Sequence, residues 1–578
     1  MVASRTAWDP RRLAPTAVAA ALAIVYLIWQ PPSLDLAAAE YRAWLFGHAG
    51  FSVWDAQWYG GHHLPGYSVL FPPLAHWLGP RVVGALAVVA AAWLFERIAH
   101  ARYGERAWLG ATWFAAGAAT TLFSGRLTFA LGLVPALGAV LALRCSFEPG
   151  WRAGPDHRLR RRCPSGRAHT GLAAGARASS PPPARSSALA LALAIGLALV
   201  TPLASPVAAL FLALAGTAYA LGERRARGLL VAGAALAPVA ALAVAFPEGG
   251  IEPFAFSSFW PVPAFAAVAL AILPREERTL RIGVALYALG CTAAFVLDTP
   301  IGGNVVRLGA LCAGPLAALV LWPQRRTALL LLAPFLLWWQ WTAAVNDVRT
   351  ASGDPSVHAA YYAPLLSALD RAGARGGATG RIEIPFTRLH WEARHVAPAI
   401  PLVRGWERQL DLEVNPLFYG DQTGAPPLTA ARYRAWLHRM AVRWVAVPDV
   451  RLDYSATDEA RLIARGLPYL RSVWRGAHWR LYEVSDAAPL ATPPARVLST
   501  DTDSLTLTVP RAVTVKLRVR WTPYWAVTQG DACAEPAGDW TRLRVRKAGT
   551  IRLSTRFSLG RIGSRAARCG DRVVVNSG

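Results

Sequence analysis

Asp55 sits in the stretch WDAQWYGGHHLPGYSVLFPP, with Trp54 before it and Gln57, Trp58 and Tyr59 just after. A carboxylate partly desolvated among aromatic rings holds its proton more tightly, which suits a general base. The same carboxylate would serve equally well as the cap of a short interfacial helix. His62 and His63 follow at once. Adjacent residues cannot share one helix face, so the pair is poorly built for two-point metal ligation. One ring is better suited to substrate or phosphate, the other to a polar loop. His48 and His76 keep a divalent metal as the alternative.

Two arginines elsewhere open apolar runs: Arg126 in FSGRLTF and Arg307 in DTPIGGNVVRLG. A guanidinium offers a planar fork of donors that fits phosphate, and a charge near a bilayer needs an anionic partner. Asn304 and the glycines before it place backbone amides beside Arg307. The competing reading is snorkelling, or an ion pair with Asp298. Arg42, beside Glu40, reads as a surface ion pair.

These residues are carried by a long series of Ala/Leu/Val-rich runs over 14–341. Their spacing predicts helices at 13–30, 80–99, 107–122, 126–143, 187–201, 206–222, 228–245, 259–273, 281–297, 305–322 and 327–345, about eleven in all. Arginines cluster in every second joint: Arg11 and Arg12; Arg97, Arg102 and Arg106; Arg158, Arg160, Arg161 and Arg162; Arg224, Arg225 and Arg227; Arg275, Arg278 and Arg281; Arg325 and Arg326. Arginine-rich joints stay cytoplasmic. That places the N-terminus inside, and puts the intervening joints and everything after Trp341 outside, in a multi-pass plasma-membrane protein. No small-residue cleavage site precedes Trp29, so the first run reads as an uncleaved helix.

Composition agrees. Hydrophobic residues make up 54% of the 578, and mean hydropathy is +0.30. The formal charge of +25 lies largely in the cytoplasmic joints, so it reads as topology with some attraction to anionic headgroups and not as nucleic-acid binding. Arginine in place of lysine, with abundant alanine, points to a GC-rich bacterial genome.

Two insertions interrupt the runs. The first, 31–79, is external, and its aromatics with Pro and Gly predict short interfacial helices. The second, 144–187, holds RLRRRCPSGR and SSPPPARSS, a composition that cannot build a core and predicts a disordered cytoplasmic loop. From 346 onward, short β-like runs predict strands: RIEIPF, VRWVAVP, WRLYEV, SLTLTVP, VTVKLRVRW and TRLRVRK, with VTVKLRVRW alternating apolar and polar residues as a half-buried strand does. The helix-like LTAARYRAWLHRMA before VRWVAV suggests an α/β step. A mixed α/β domain over 346–494 and a β-rich module over 495–578 are therefore expected outside the membrane. Cys533 and Cys569 share that module on the oxidising side, where a disulfide is plausible and free thiols are the alternative.

At this level the chain resembles the GT-C glycosyltransferase superfamily, in particular the bacterial YfhO-like and 6-pyruvoyl-tetrahydropterin-synthase-related membrane proteins. The likeness rests on WDAQWYGGHHLPGYSVLFPPL, SGRLTFALG, GGNVVRLG, GRIEIPFTRLHWEA, RGWERQLDLEVNPLFY, YRAWLHRMAVRWVAVPD, WRLYEV and RWTPYWAV. It implies transfer of a sugar from a polyprenyl-phosphate donor to a cell-envelope glycan, lipid or protein at the outer face. Asp55 would then be the base. Arg307, with Arg126, His63 and Asn304, would hold the departing phosphate. Trp54, Trp58, Tyr59 and His62 would meet substrate, and Trp406, Glu407 and Arg408 of RGWERQLD would recognise acceptor. The chain departs from the pattern in lacking a second acid or a DxD beside Asp55, so no metal is assigned; Asp501–Thr502–Asp503 reads as a turn. A polytopic transporter and a non-catalytic scaffold of the same fold are the alternatives.

Overall fold

The structure, a computed structural model, describes residues 10–146 and 184–568. Nearly all of the loop expected at 144–187 lies outside them. The described residues are mostly helical, at 58%. Among the described residues, nine stretches are long and apolar enough to cross a bilayer, from Pro10–Trp29 to Arg326–Ala351. One of them, Pro80–Phe123, contains two long helices, Pro80–Tyr103 and Ala107–Ala118, where separate runs at 80–99 and 107–122 were expected. The run expected at 259–273 falls within a shorter apolar stretch, Phe256–Ile272.

Helices are the natural solution for such sequences, because each satisfies its backbone donors and acceptors internally. Pro135, Pro202, Pro238, Pro315 and Pro334 sit inside helices, which packed neighbours tolerate better than water does. Large apolar side chains face outward: Ile28 is 79% exposed and Leu331 is 78% exposed. Water would penalise such a girdle, whereas lipid would not.

The arginine-rich joints gather at one end of the bundle. Arg12 pairs with Glu96 at 3.5 Å and Arg102 with Glu277 at 2.7 Å. Arg144 donates to the Ile98 carbonyl and Arg325 to that of Ile272. The TPLASP joint lies at the opposite end. There Ser205 caps the helix Pro206–Glu223 through Ala208 N–H, and Ser68 of the first long joint binds the Leu203 and Ala204 carbonyls.

That opposite end carries the part of the chain outside the long apolar helices. The first joint folds into helices Leu34–Ala49 and Phe71–Leu78, with a minimal antiparallel ribbon between them, β1 (Trp54–Asp55) and β2 (His62–His63). The α/β region is built on β3 (Arg381–Glu383), β4 (Val442–Pro448), β5 (Leu470–Arg475) and β6 (Trp479–Val484), in the order β3-β4-β6-β5. Only β3 and β4 are parallel, and the helix Ala430–Arg439, capped by Thr429, leads into β4. A β-rich region follows: β7 (Arg496–Thr500), β8 (Ser504–Val509), β9 (Val513–Arg520), β10 (Trp525–Gln529), β11 (Ala532–Ala537), β12 (Trp540–Val545) and β13 (Gly549–Thr555). These form two sheets, β10-β13-β8-β7 and β11-β12-β9. The outward and inward alternation along VTVKLRVR buries Val515, Leu517 and Val519 between them. Cys533 is disulfide-bonded. Its expected partner, Cys569, lies outside the described residues, although the bridge from Ala534 to Arg568 brings the neighbouring chain alongside.

Candidate functional site

The first long joint, residues 31–79, is the hub of the end opposite the arginine-rich joints. Trp54 enters the core of the β-rich module with Leu505, Leu543 and Trp525, whereas Trp58 and Tyr59 enter the core shared by the bundle and the α/β region. Ala56 N–H donates to Thr502 O and Leu402 N–H to Gln57 O, which ties three units to one loop. Asp55 is fully buried. Its Oδ2 accepts from the Tyr41 hydroxyl at 2.9 Å and its Oδ1 from Gln57 N–H at 2.9 Å. Burial pushes its carboxyl up to about 7, against those two hydrogen bonds. Both oxygens are therefore engaged inside the fold, and no face of Asp55 meets solvent.

The same burial revises several expectations. Trp54, Trp58 and Tyr59 are at most 1% exposed, so they shape the loop from within and present no ring face to a sugar. His62 stacks on Trp58, and burial holds its ring neutral, lowered to about 3. His63 donates its backbone N–H to Glu248 at 2.5 Å, and its ring has Nδ1 2.8 Å from Glu248 and Nε2 3.0 Å from Thr522, which fastens the loop to both neighbours. Arg42 is 3% exposed and pairs with Glu407, not Glu40; its guanidinium also lies 3.6 Å from the centre of the Tyr67 ring. Among the described residues, no three His, Cys, Asp or Glu side chains are arranged to hold a metal.

A different set of charges meets where the helices end. Arg126 is the residue before helix Leu127–Cys145, and Arg307 is the second residue of helix Val306–Leu321. Both guanidiniums therefore stand at positive helix termini, where an anion is favoured and a second cation is not. Arg126 Nε is 3.8 Å from Asp35 Oδ2. Arg307 lies 5.8 Å from the centre of the Phe129 ring, with Arg126, Asp35, Tyr67 and Glu252 as its electrostatic neighbours. Among the described residues, none lies within ion-pair or hydrogen-bond distance of Arg307, Asp298 included. Asp347, in helix Arg326–Ala351, adjoins the same Arg126 and Asp35.

Glu252 completes this group. Gly302 has a positive φ of 39°, and a Cβ there would fall 1.9 Å from the Glu252 carbonyl. Only glycine lets the turn Gly302–Val305 press against the Glu252 segment and bring its carboxyl toward Arg307. Asn304 lies in that turn, its own N–H spent on Ile301 O. Burial pushes Glu252 up to about 7, while Arg307 and then Arg408 draw it down.

Arg408 belongs to the roof. It holds Asp453 through two bonds of 2.8 and 3.1 Å, and Tyr419 at 3.0 Å. Trp406 beside it stacks on His390 at 3.7 Å, and Glu407 binds Arg42. The segment expected to recognise acceptor thus meets the bundle end through Arg42–Glu407, with Arg408 an electrostatic neighbour of Glu252.

No protein-family model matches this chain, and no curated protein matches it.

Arg126, Arg307 and Arg408 are thus electrostatic neighbours of Glu252, Asn304 lies in the turn before Arg307, Glu407 pairs with Arg42, and Asp55, His62 and His63 lie in the packed loop. Asp35, Tyr67, Glu252 and Asp347 join this group without having been singled out in the sequence. The available signal for Asp35 and Glu252 was an acid in a joint between apolar runs: SLDLAAAE carries Asp35 and Glu40, and EGGIEPF carries Glu248 and Glu252.

Proposed function

We propose that the chain is a polytopic membrane glycosyltransferase of the GT-C kind, with about eleven spans, moving a sugar from a polyprenyl-phosphate donor to a cell-envelope acceptor on the extracytoplasmic face. The observation that carries the reading is the convergence of Arg126 and Arg307 at two helix N-termini, with Arg307 unpaired among the described residues. Two guanidiniums and two helix dipoles make a strong site for a phosphate at the membrane edge. A lipid phosphate suits it because its tail can remain among the apolar helices.

In this reading the departing phosphate rests on Arg307 and Arg126, which stabilise its growing charge. Glu252 takes the proton of the acceptor hydroxyl as that oxygen attacks the anomeric carbon and the bond to phosphate breaks. A carboxyl raised to about 7 is half ionised at neutral pH, close to the optimum for a base. The role moves from Asp55 to Glu252 because Asp55 has no free oxygen. Trp406, Glu407 and Arg408 form the acceptor side. The likeness of SGRLTFALG and GGNVVRLG to the superfamily's membrane stretches supports the same assignment.

The test is transfer in reconstituted vesicles from radiolabelled polyprenyl-phosphate sugar to envelope acceptors. Glu252→Gln should lower transfer by roughly 10²–10⁴-fold and keep donor binding. Unchanged transfer removes Glu252 from the chemistry, and flux of substrate across sealed vesicles without transfer favours a carrier.

A further inference from the structure

We propose that the last loop of the β-rich module, residues 556–565, is a lipid-contacting wedge seated on a membrane surface rich in anionic headgroups. This rests on the chain spanning a membrane, not on the transferase reading. The loop follows β13 and reads RFSLGRIGSR. Phe557 is 48% exposed and Leu559 is 76% exposed, an unusual cost for a loop in water.

Its position explains the cost. Phe557 lies 5.5 Å from Phe246 and 5.3 Å from Tyr524, ring centre to ring centre. Phe246 directly follows the candidate span Arg227–Ala245, and the Tyr524 hydroxyl donates to Ala245 O at 2.6 Å. The exposed apolar tip therefore sits level with the end of a membrane helix. Neighbouring span ends at this rim also expose apolar groups, Val244, Trp260 and Val296 among them. Aromatic and aliphatic residues at that height mark the bilayer interface.

Charge selects the occupant. Arg556 and Arg565 are exposed beside the apolar tip, and residues 556–565 contain no acid. A second copy meeting this loop through the same face would bring the same Arg556 and Arg565 and be repelled, whereas lipid phosphates would be attracted. The contact would brace the module against the helix end from which Glu248 and Glu252 hang.

The test uses the full chain in vesicles, with Cys145, Cys163, Cys291 and Cys312 replaced by alanine. A nitroxide is placed at Leu559→Cys or, on the outer face of β12, at Arg542→Cys. Power saturation with oxygen and with a water-soluble nickel chelate then reports depth. The wedge requires an oxygen-to-nickel accessibility ratio several-fold higher at 559 than at 542, rising further when phosphatidylglycerol is added to phosphatidylcholine. Equal ratios would mean an aqueous loop, shielding from both reagents would mean a protein cover, and indifference to phosphatidylglycerol would remove the headgroup contact. Each overturns the proposal. Phe557→Cys gives a second reading at the same depth should the first label perturb the loop.

Discussion

Asp35 and Arg126 meet at 3.8 Å across two helices that start at the same end of the bundle. The approach depends on Gly125, whose φ is 72° and whose absent Cβ would lie 2.5 Å from Leu36 N. Arg307, beside them, has no carboxylate within ion-pair distance among the described residues, Glu252 and Asp35 acting on it from farther away. The group thus holds one paired guanidinium and one that is not, and an incoming anion would complete it.

Glu252 should set the pH profile of transfer. Its base form increases as pH rises through about 7, so kcat/KM should climb over that range and level off above it. Glu252→Gln should flatten the profile and lower the rate by roughly 10²–10⁴-fold. A profile that persists in the variant would place the base elsewhere, with Asp35 and Asp347 as the nearest candidates.

Asp55 should behave as a structural acid. Its folded value, about 7, exceeds the ~3.9 of an unfolded chain. Folding therefore favours the protonated form. Its contribution is complete below that unfolded value and is lost as pH rises toward about 7, at ~1.4 kcal/mol per unit for a fully expressed shift. Asp55→Asn should consequently flatten the decline in thermal stability between pH 5 and 7 and leave transfer active. Loss of transfer with unchanged stability would return Asp55 to the chemistry.

What could be read in the sequence divides by the range of the interaction. Apolar runs and alternating arginine joints depend on local composition, and they reappear as long helices with the arginine-bearing ends bonded together. VTVKLRVRW follows a two-residue period and reappears as β9, while VRWVAVP and WRLYEV, rich in β-branched and aromatic residues, reappear as β4 and β6. Strands such as β5, LRSVWR, and β11, ACAEPA, lack that period, and their pairing partners hold them. Asp55 shows the limit more sharply. Its aromatic neighbours resemble the lining of a cleft, but whether indoles line a cleft or fill a core depends on residues 402–405 and 502–525 folding over them. Glu252 was hidden for the same reason, since Gly302, 50 positions away, brings it to Arg307.

A buried carboxyl pair should make the α/β region sensitive to alkali. Glu383 and Glu459 are fully buried with Asp411 around the single guanidinium of Arg404, at 4.0, 3.6 and 2.7 Å respectively. Three carboxylates exceed one cation, and burial with the neighbouring Glu459 raises Glu383, so a proton is retained between the two glutamates. With the folded value above the unfolded one, this contribution is complete at low pH and fades as pH rises. Glu383→Gln, which keeps a donor toward Glu459, should slow hydrogen exchange in β4 at pH 8–9 relative to the parent and leave pH 5 unaffected. Faster exchange at every pH would contradict the shared proton.

The most direct measurement is donor affinity at Arg307. Polyprenyl phosphate and the uncharged polyprenol should be titrated against the parent chain and Arg307→Ala in nanodiscs. A lost charge-assisted pair costs about 1.5–3 kcal/mol, so the variant should bind the phosphate roughly 10- to 100-fold more weakly and the alcohol unchanged. Equal phosphate affinity in the two proteins would contradict the anion site on which the transferase reading stands.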